Sequence, residues 1–208
     1  MKKFLLVLIS IVLLQQVNAQ SFGKGSIVIS ANYGLDGYKI QEHNVNKASN
    51  GTQDTTTAAA STNFNIGVEY GLFRWLGVGI QGKLDNYFHD NNISDAIGFE
   101  LGALINIHLI RANHFDLLVG FNLGFSNLTI DYPINNYQVY GSGGWSDFHI
   151  TPRIYFGRFG INLNLYFPSI SYPNLTTNVD AYNQYVSLSW KTASAFGATF
   201  GIQYRIIN

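Results

Sequence analysis

Two sets of residues in this sequence could do chemistry. Asp147, His149 and Thr151 stand at two-residue spacing, so an extended chain carries a carboxylate, an imidazole and a hydroxyl on one face. Such a trio is the raw material of a nucleophile and its base. The same spacing is common in any polar strand, and no other acid stands near it. The expectation is therefore no catalytic residue and no enzyme. The second set is purely charged: Glu69, Asp85 and Glu100 against Lys83, Arg153 and Arg205. The five histidines are scattered, with no pair at helical or hairpin spacing to suggest a metal site. There is no cysteine, which removes disulfides, thiolate metal sites, a cysteine nucleophile and a lipidated cysteine. No Walker, Rossmann, metalloprotease or Gly-x-Ser-x-Gly motif occurs, so no cofactor is implied. The 12 basic residues balance 12 acidic ones, which gives no case for nucleic acid.

The elements that must position these residues alternate with period two. Residues 60–72 read Ala60, Thr62, Phe64, Ile66, Val68, Tyr70 and Leu72 on one face, against Ser61, Asn63, Asn65, Gly67, Glu69 and Gly71 on the other. The same pattern returns over residues 26–35, 76–85, 97–109, 115–126, 148–156, 159–167 and 196–206, which makes eight strands. Short turns fall at 73–75, 111–114 and 157–158. Longer Asn-, Thr-, Ser- and Gly-rich loops are expected at 41–58, 89–94, 131–145 and 171–189. Short turns on one rim and long loops on the other are the arrangement of a transmembrane barrel, with turns in the periplasm and loops outside. Pro152 removes a ladder donor from the sixth strand and is expected to mark a bulge or the end of pairing.

Residues 1–19 have the form of a secretory leader: Lys2 and Lys3, an apolar run from Phe4 to Leu14, and small residues ending at Ala19. The mature domain is expected to span 20–208. Removing Lys2 and Lys3 leaves 10 basic against 12 acidic residues. Only 12% of the chain is charged, while 47% is hydrophobic and 15% aromatic. A soluble surface needs roughly 25–35% charge. An exported, poorly charged chain without an apolar helix-length run beyond the leader has one membrane option, a closed barrel.

A secreted lipocalin is also an eight-stranded barrel, with its apolar face inward. Here the polar face is mostly Gly, Asn, Ser and Thr, which suits a narrow lumen better than a soluble exterior. The apolar face is bulky Ile, Leu, Phe and Val, as lipid contact requires. The Gly-x-Trp opening of lipocalins is absent. Aromatics near strand ends would form two girdles, Phe73, Trp75, Phe115, Phe159 and Tyr204 below and Tyr38, Phe88, Tyr132, Phe148, Tyr172 and Trp190 above.

The fold expectation is thus all-β, an eight-stranded antiparallel up-and-down transmembrane β-barrel. It resembles the small outer-membrane β-barrel superfamily, the OmpA/OmpX-like and OmpW-like barrels. The closing residues Thr199, Gly201, Tyr204 and Ile206 resemble the C-terminal signal read by the barrel assembly machinery, with Ile206 where an aromatic is usual. A start at Gln20 and Asn-rich loops look like Bacteroidota outer-membrane proteins. Asp54-Thr55-Thr56 resembles an O-glycan acceptor of that group, and Arg74, Arg111 and Arg158 read as solubilising turn residues.

The resemblance implies the cell outer membrane, with membrane lipid and the assembly machinery as partners and an extracellular ligand held by the long loops. Inward charges must be paired in a low-dielectric lumen, so Glu69, Lys83, Asp85, Glu100, Arg153 and Arg205 are expected to form one network. Three roles are open at this point. The first is a structural or surface-interaction barrel, the second a narrow OmpW-like passive channel for small or apolar solutes, and the third an accessory barrel of a secretion system.

Overall fold

The computed structural model describes residues 21–89, 93–133 and 137–206. The expected leader lies outside the described residues. Eight strands follow one another around a closed barrel: β1 (Ile27–Asn46), β2 (Gly51–Gly71), β3 (Leu76–Tyr87), β4 (Asp95–Arg111), β5 (Phe115–Asp131), β6 (Gln138–Phe156), β7 (Phe159–Thr177) and β8 (Val186–Ile206). Every neighbouring pair is antiparallel, and β8 closes on β1 from Ile27↔Ile206 upward. Closure gives every strand backbone partners on both sides through the belt, while above Ser61↔Tyr87, where β3 ends, the upper part of β2 pairs with β1 alone. The one described helix, α1 (Asp180–Tyr185), caps the β7–β8 connection.

Alternation sends polar side chains inward and apolar ones outward. Ile80, Leu123 and Ile202 are each more than 60% exposed on the outer wall, while Lys83, Glu100 and Asn122 are buried within. An apolar belt of this extent is tolerated only against lipid. The lower rim carries the short turns; at Gly157 the chain takes φ +70°, a left-handed turn that glycine accepts without steric cost.

The upper ends correct the expected loops. β1 and β2 pair continuously to Asn46↔Gly51, so most of 41–58 is hairpin. Likewise β5 and β6 pair to Asp131↔Gln138, and β7 runs to Thr177. Val139, Trp145, Tyr172 and Leu175 on β6 and β7 turn an apolar face inward, whereas the β1–β2 extension is polar on both faces because it rises beyond the belt into water. Backbone pairing needs no apolar alternation there, and Thr favours the extended chain. Pro152 marks no bulge: Ile150↔Leu165 and Arg153↔Asn162 share one register on either side of it, and Pro152 itself pairs with Leu117. The register breaks lie elsewhere: between Lys39 and Ile40 against β8, between His108 and Ile110 against β5, between Tyr140 and Gly144 against β7, and between Tyr166 and Ser171 and between Tyr172 and Leu175 against β8.

Candidate functional site: the lumen and its upper mouth

The lumen is built in layers. In the lowest, Arg153 Nη1 donates to Glu69 at 2.8 Å and lies 3.8 Å from Asp116. His108 bridges the two carboxylates, with Nε2 2.9 Å from Glu69 and Nδ1 2.9 Å from Asp116. Phe22 closes this layer from below. Its ring stacks on His108, and the segment before β1 is anchored by Ser21, whose N–H donates to Ala112 O at 3.1 Å and whose hydroxyl donates to Phe115 O at 3.2 Å. Arg205 donates to Ser21 O and, at 3.1 Å, to Gly157 O, with its guanidinium 4.9 Å over the Tyr155 ring. Arg205 therefore ties the rim to the N-terminal strap.

The middle layer holds the trio singled out from the sequence. His149 binds Asp147 at 2.9 Å and Asn106 at 2.9 Å, while Asn122 donates to Asp147 at 3.0 Å. Thr151 turns away and donates to Asn164 at 2.7 Å, across the stretch where the β6–β7 ladder skips Pro152. Gly120 makes room for this network, since a Cβ there would run into Asn106 and His149. The cavity beside His149 and Thr151 measures about 30 Å³, room for roughly two water molecules.

The upper layer gathers around Lys83, which is 2% exposed. Its ammonium lies 2.7 Å from Asp36, 2.7 Å from Asp85 and 3.7 Å from Glu100, and donates to the Tyr38 hydroxyl at 3.2 Å. Tyr38 donates to Asp36 at 2.7 Å, Tyr166 donates to the same carboxylate, and Ser61 donates to Asp85 at 2.7 Å. The six charged residues picked from the sequence thus fall into three places. Lys83, Asp85 and Glu100 meet above, Glu69 and Arg153 meet below, and Arg205 sits on the rim.

Sequence reading missed Asp36, Asp116 and His108 as members. Extending the parity of the first strand past Leu35 would have placed Asp36 and Tyr38 inside. The same parity corrects the upper girdle, because Tyr38 and Tyr172 are buried in the lumen and Trp190 turns inward against them. Trp145, read as loop, is buried beside them.

Above Lys83 the lining becomes apolar. Tyr38, Ala96, Leu128, Ile130, Trp145 and Ile170 pack into a cluster at the mouth. A cavity of about 490 Å³ opens there, walled by Ile40, Tyr87, Ile93, Leu128, Ile130 and Trp190. Among the described residues, no group of three or more metal-ligating side chains is placed to hold an ion.

On the closing strand, Thr199 and Gly201 face the lumen while Tyr204 and Ile206 face out. Tyr204 packs against Phe159 with ring centroids 4.9 Å apart.

No known family model matches this chain, and no curated protein matches it. Solved structures do. The outer membrane protein OprG of Pseudomonas aeruginosa superposes with a TM-score of 0.64 at 11% identity, over 92% of this chain and 100% of that one. Neisserial surface protein A gives 0.50 at 9% identity, over 87% and 99%. The fold of this chain is that of the small outer-membrane β-barrels.

Proposed function

We propose that this chain is a non-enzymatic protein of a bacterial outer membrane, exported by a leader at residues 1–19, that acts through its upper rim at the cell surface. One observation carries the reading: three networks of polar side chains close the lumen, while the strands run on past the apolar belt into long hairpins. A barrel that fills its own bore has no aqueous path to offer. Its accessible chemistry is at the mouth. The short turns then face the periplasm. Thr199, Gly201, Tyr204 and Ile206 serve the assembly machinery as the closing-strand signal, and Glu69, Lys83, Asp85, Glu100, Arg153 and Arg205 lock the barrel shut. The test is reconstitution of the full chain in liposomes, with swelling in small sugars and single-channel recording. No flux is expected. Steady conductance would overturn the reading.

A second reading is supported by a specific pair of features. The apolar cavity at the mouth shares Ile40, Tyr87 and Trp190 with a much smaller cavity, about 20 Å³, that reaches Ile170 and Thr192 at a stretch where the β7–β8 ladder is unpaired, between Tyr166 and Ser171. A small apolar solute could enter the cavity and leave sideways into lipid without crossing the Lys83 layer. Swelling assays would stay silent. Transfer of a fluorescent apolar probe into protein-bearing vesicles, faster than into bare ones, would favour this route.

A further inference from the structure

The outer wall carries a polar groove that the surface reading leaves unexplained. It crosses four adjacent strands just above the apolar belt. One wall is the outward row Ser171, Lys191, Gln41 and Thr56, set by the pairs Ser171↔Lys191, Gln41↔Lys191 and Gln41↔Thr56. The other wall includes Ser189, His43 and Asp54, set by His43↔Ser189 and His43↔Asp54. The space between measures about 490 Å³, within the range of small-ligand sites, roughly 300–1,000 Å³. Short hydroxyl side chains open it, and Glu42, Tyr172 and Trp190, on the alternate face of the same rung, complete its lining.

Its position and charge identify an occupant. Directly below, Phe167 and Phe196 meet with ring centroids 5.6 Å apart and mark the top of the belt on this side. Lys39 lies between belt and groove, exposed and paired across to Ser194 and Ala58. Lys191 lies on the groove itself. Diagonal neighbours on adjacent strands stand roughly 7–8 Å apart, so the two ammonium groups can reach one anionic headgroup. Two acids also line the groove and keep the site close to charge balance: Asp54 lies 2.5 Å from His43, and Glu42 accepts from Thr57 at 3.2 Å. The far wall has the opposite sign at its top, where Asp95 and Asp131 face each other across β4 and β5. Among the described residues, the exposed cations of the upper half, Lys39, Lys47 and Lys191, belong to the β1–β8 side.

We infer that this groove seats the phosphorylated saccharide headgroup of an outer-leaflet glycolipid. Lys39 and Lys191 hold phosphate oxygens, Gln41, Thr56, Ser171 and Ser189 meet sugar hydroxyls, and the acyl chains lie down the belt over Phe196 and Phe167. A phosphate between ammonium groups at the edge of lipid is drawn by charge and held by charge-assisted hydrogen bonds. A soluble saccharide would gain nothing from the belt, and a plain phospholipid would leave the groove empty. The inference rests on the outer-membrane reading above.

The test uses the full chain in nanodiscs and, as probe, a bis-phosphorylated glucosamine-disaccharide lipid. Binding is read by native mass spectrometry and by competition. The comparison ligands are the same lipid after phosphatase, the phosphorylated saccharide without acyl chains, and phosphatidylglycerol. Losing a hydrogen bond to a charged group is worth roughly tenfold or more. The variant with both Lys39→Ala and Lys191→Ala is expected to bind the probe at least about tenfold more weakly, each single variant less so, and Lys24→Ala at the lower rim as wild type. Dephosphorylation should weaken wild-type binding by a similar factor. Equal binding by the double variant, by the dephosphorylated lipid, by phosphatidylglycerol or by the free saccharide overturns the inference. Heat-modifiable gel migration checks folding; if the double variant fails it, the exposed single variants carry the same comparison. Should the chain fail to fractionate with outer membranes or to insert into bilayers, the outer-membrane reading itself fails, which is a separate result.

Discussion

Phe22 lies flat on the imidazole of His108, with ring centroids 3.5 Å apart and planes 10° from parallel. One residue belongs to the strap before β1 and the other to the floor of the lumen. The stack seals the lower mouth with the chain's own N-terminal segment, and Ser21 is fully buried beside it. Replacing Phe22→Ala removes the stack and leaves His108, Glu69 and Asp116 open to water from below. Loss of a buried Phe costs roughly 3–5 kcal/mol in a rigid core, and less where a terminal strap can peel away. Hydrogen exchange over residues 21–26 should rise strongly while the strands stay protected. Conductance should stay absent, because the Lys83 layer closes the bore independently. Unchanged exchange would mean the stack does not hold the strap.

Lys83 stands among three carboxylates, Asp36, Asp85 and Glu100, with its ammonium almost wholly removed from solvent. Lys83→Met keeps much of the volume and removes the one cation touching all three. Breaking a buried ion pair by deleting one partner typically costs about 3–5 kcal/mol, since the other charge is left uncompensated. Urea unfolding in lipid vesicles should show a loss of that order. Adding Asp85→Asn to Lys83→Met should recover part of it, giving a coupling energy well outside the additive range. Additivity of the two changes would show that Lys83 does not bind the group together.

Much of this arrangement is legible in the sequence, for a simple reason. Strand parity is a rigid rule, so Glu69, Lys83, Asp85, Glu100 and Arg153 can be assigned to the inside from spacing alone. Parity says nothing of height along the bore. The split into a Lys83 layer and an Arg153 layer follows from strand stagger, which residue types do not encode. Strand ends are also poorly marked, because Thr55, Thr56 and Thr57 look like loop when both faces are wet. Ending the first strand at Leu35 therefore hid Asp36 and Tyr38. Phe22 precedes every strand, and its role exists only once β4 brings His108 over it. The bulge beside Lys39 and Ile40 carries no proline or glycine at that step on either strand, whereas Pro152 carries one and makes no bulge.

Two glycines separate packing from propensity. A methyl on Gly120 would meet the Asn106 carboxamide and the His149 ring, both held by hydrogen bonds, whereas Gly144 has nothing within 4 Å of its would-be Cβ. Gly120→Ala should lower stability by roughly 1–3 kcal/mol through overpacking of the polar layer. Gly144→Ala should raise it by roughly 0.5–1 kcal/mol, since a glycine inside a strand loses more freedom on folding than alanine. Urea midpoints moving in opposite directions are the expected result. A shared direction would mean that backbone effects dominate both sites.

The seam between β7 and β8 gives the last expectation. From Tyr166↔Gly197 the ladder passes to Ser171↔Lys191, leaving residues 167–170 without strand pairing to β8, although Ile170 N–H still reaches the Thr192 hydroxyl at 3.1 Å. On their other sides the same segments stay paired: Phe167 with Phe148 in β6, and Ala195 with Tyr38 in β1. Only half of the amides at the seam therefore lack a strand partner, and the barrel remains closed through its neighbours. Hydrogen exchange should be faster for residues 167–170 and 192–196 than for 159–165 and 198–204, where β7 and β8 pair at every rung from Phe159↔Tyr204 to Leu165↔Ala198. An apolar solute occupying the mouth cavity and leaving through the seam would slow that exchange. A soluble partner bound only at the hairpin tips would leave it as it is. Uniform protection along both strands would remove the seam as a place where the wall opens, and with it the sideways route for apolar solutes.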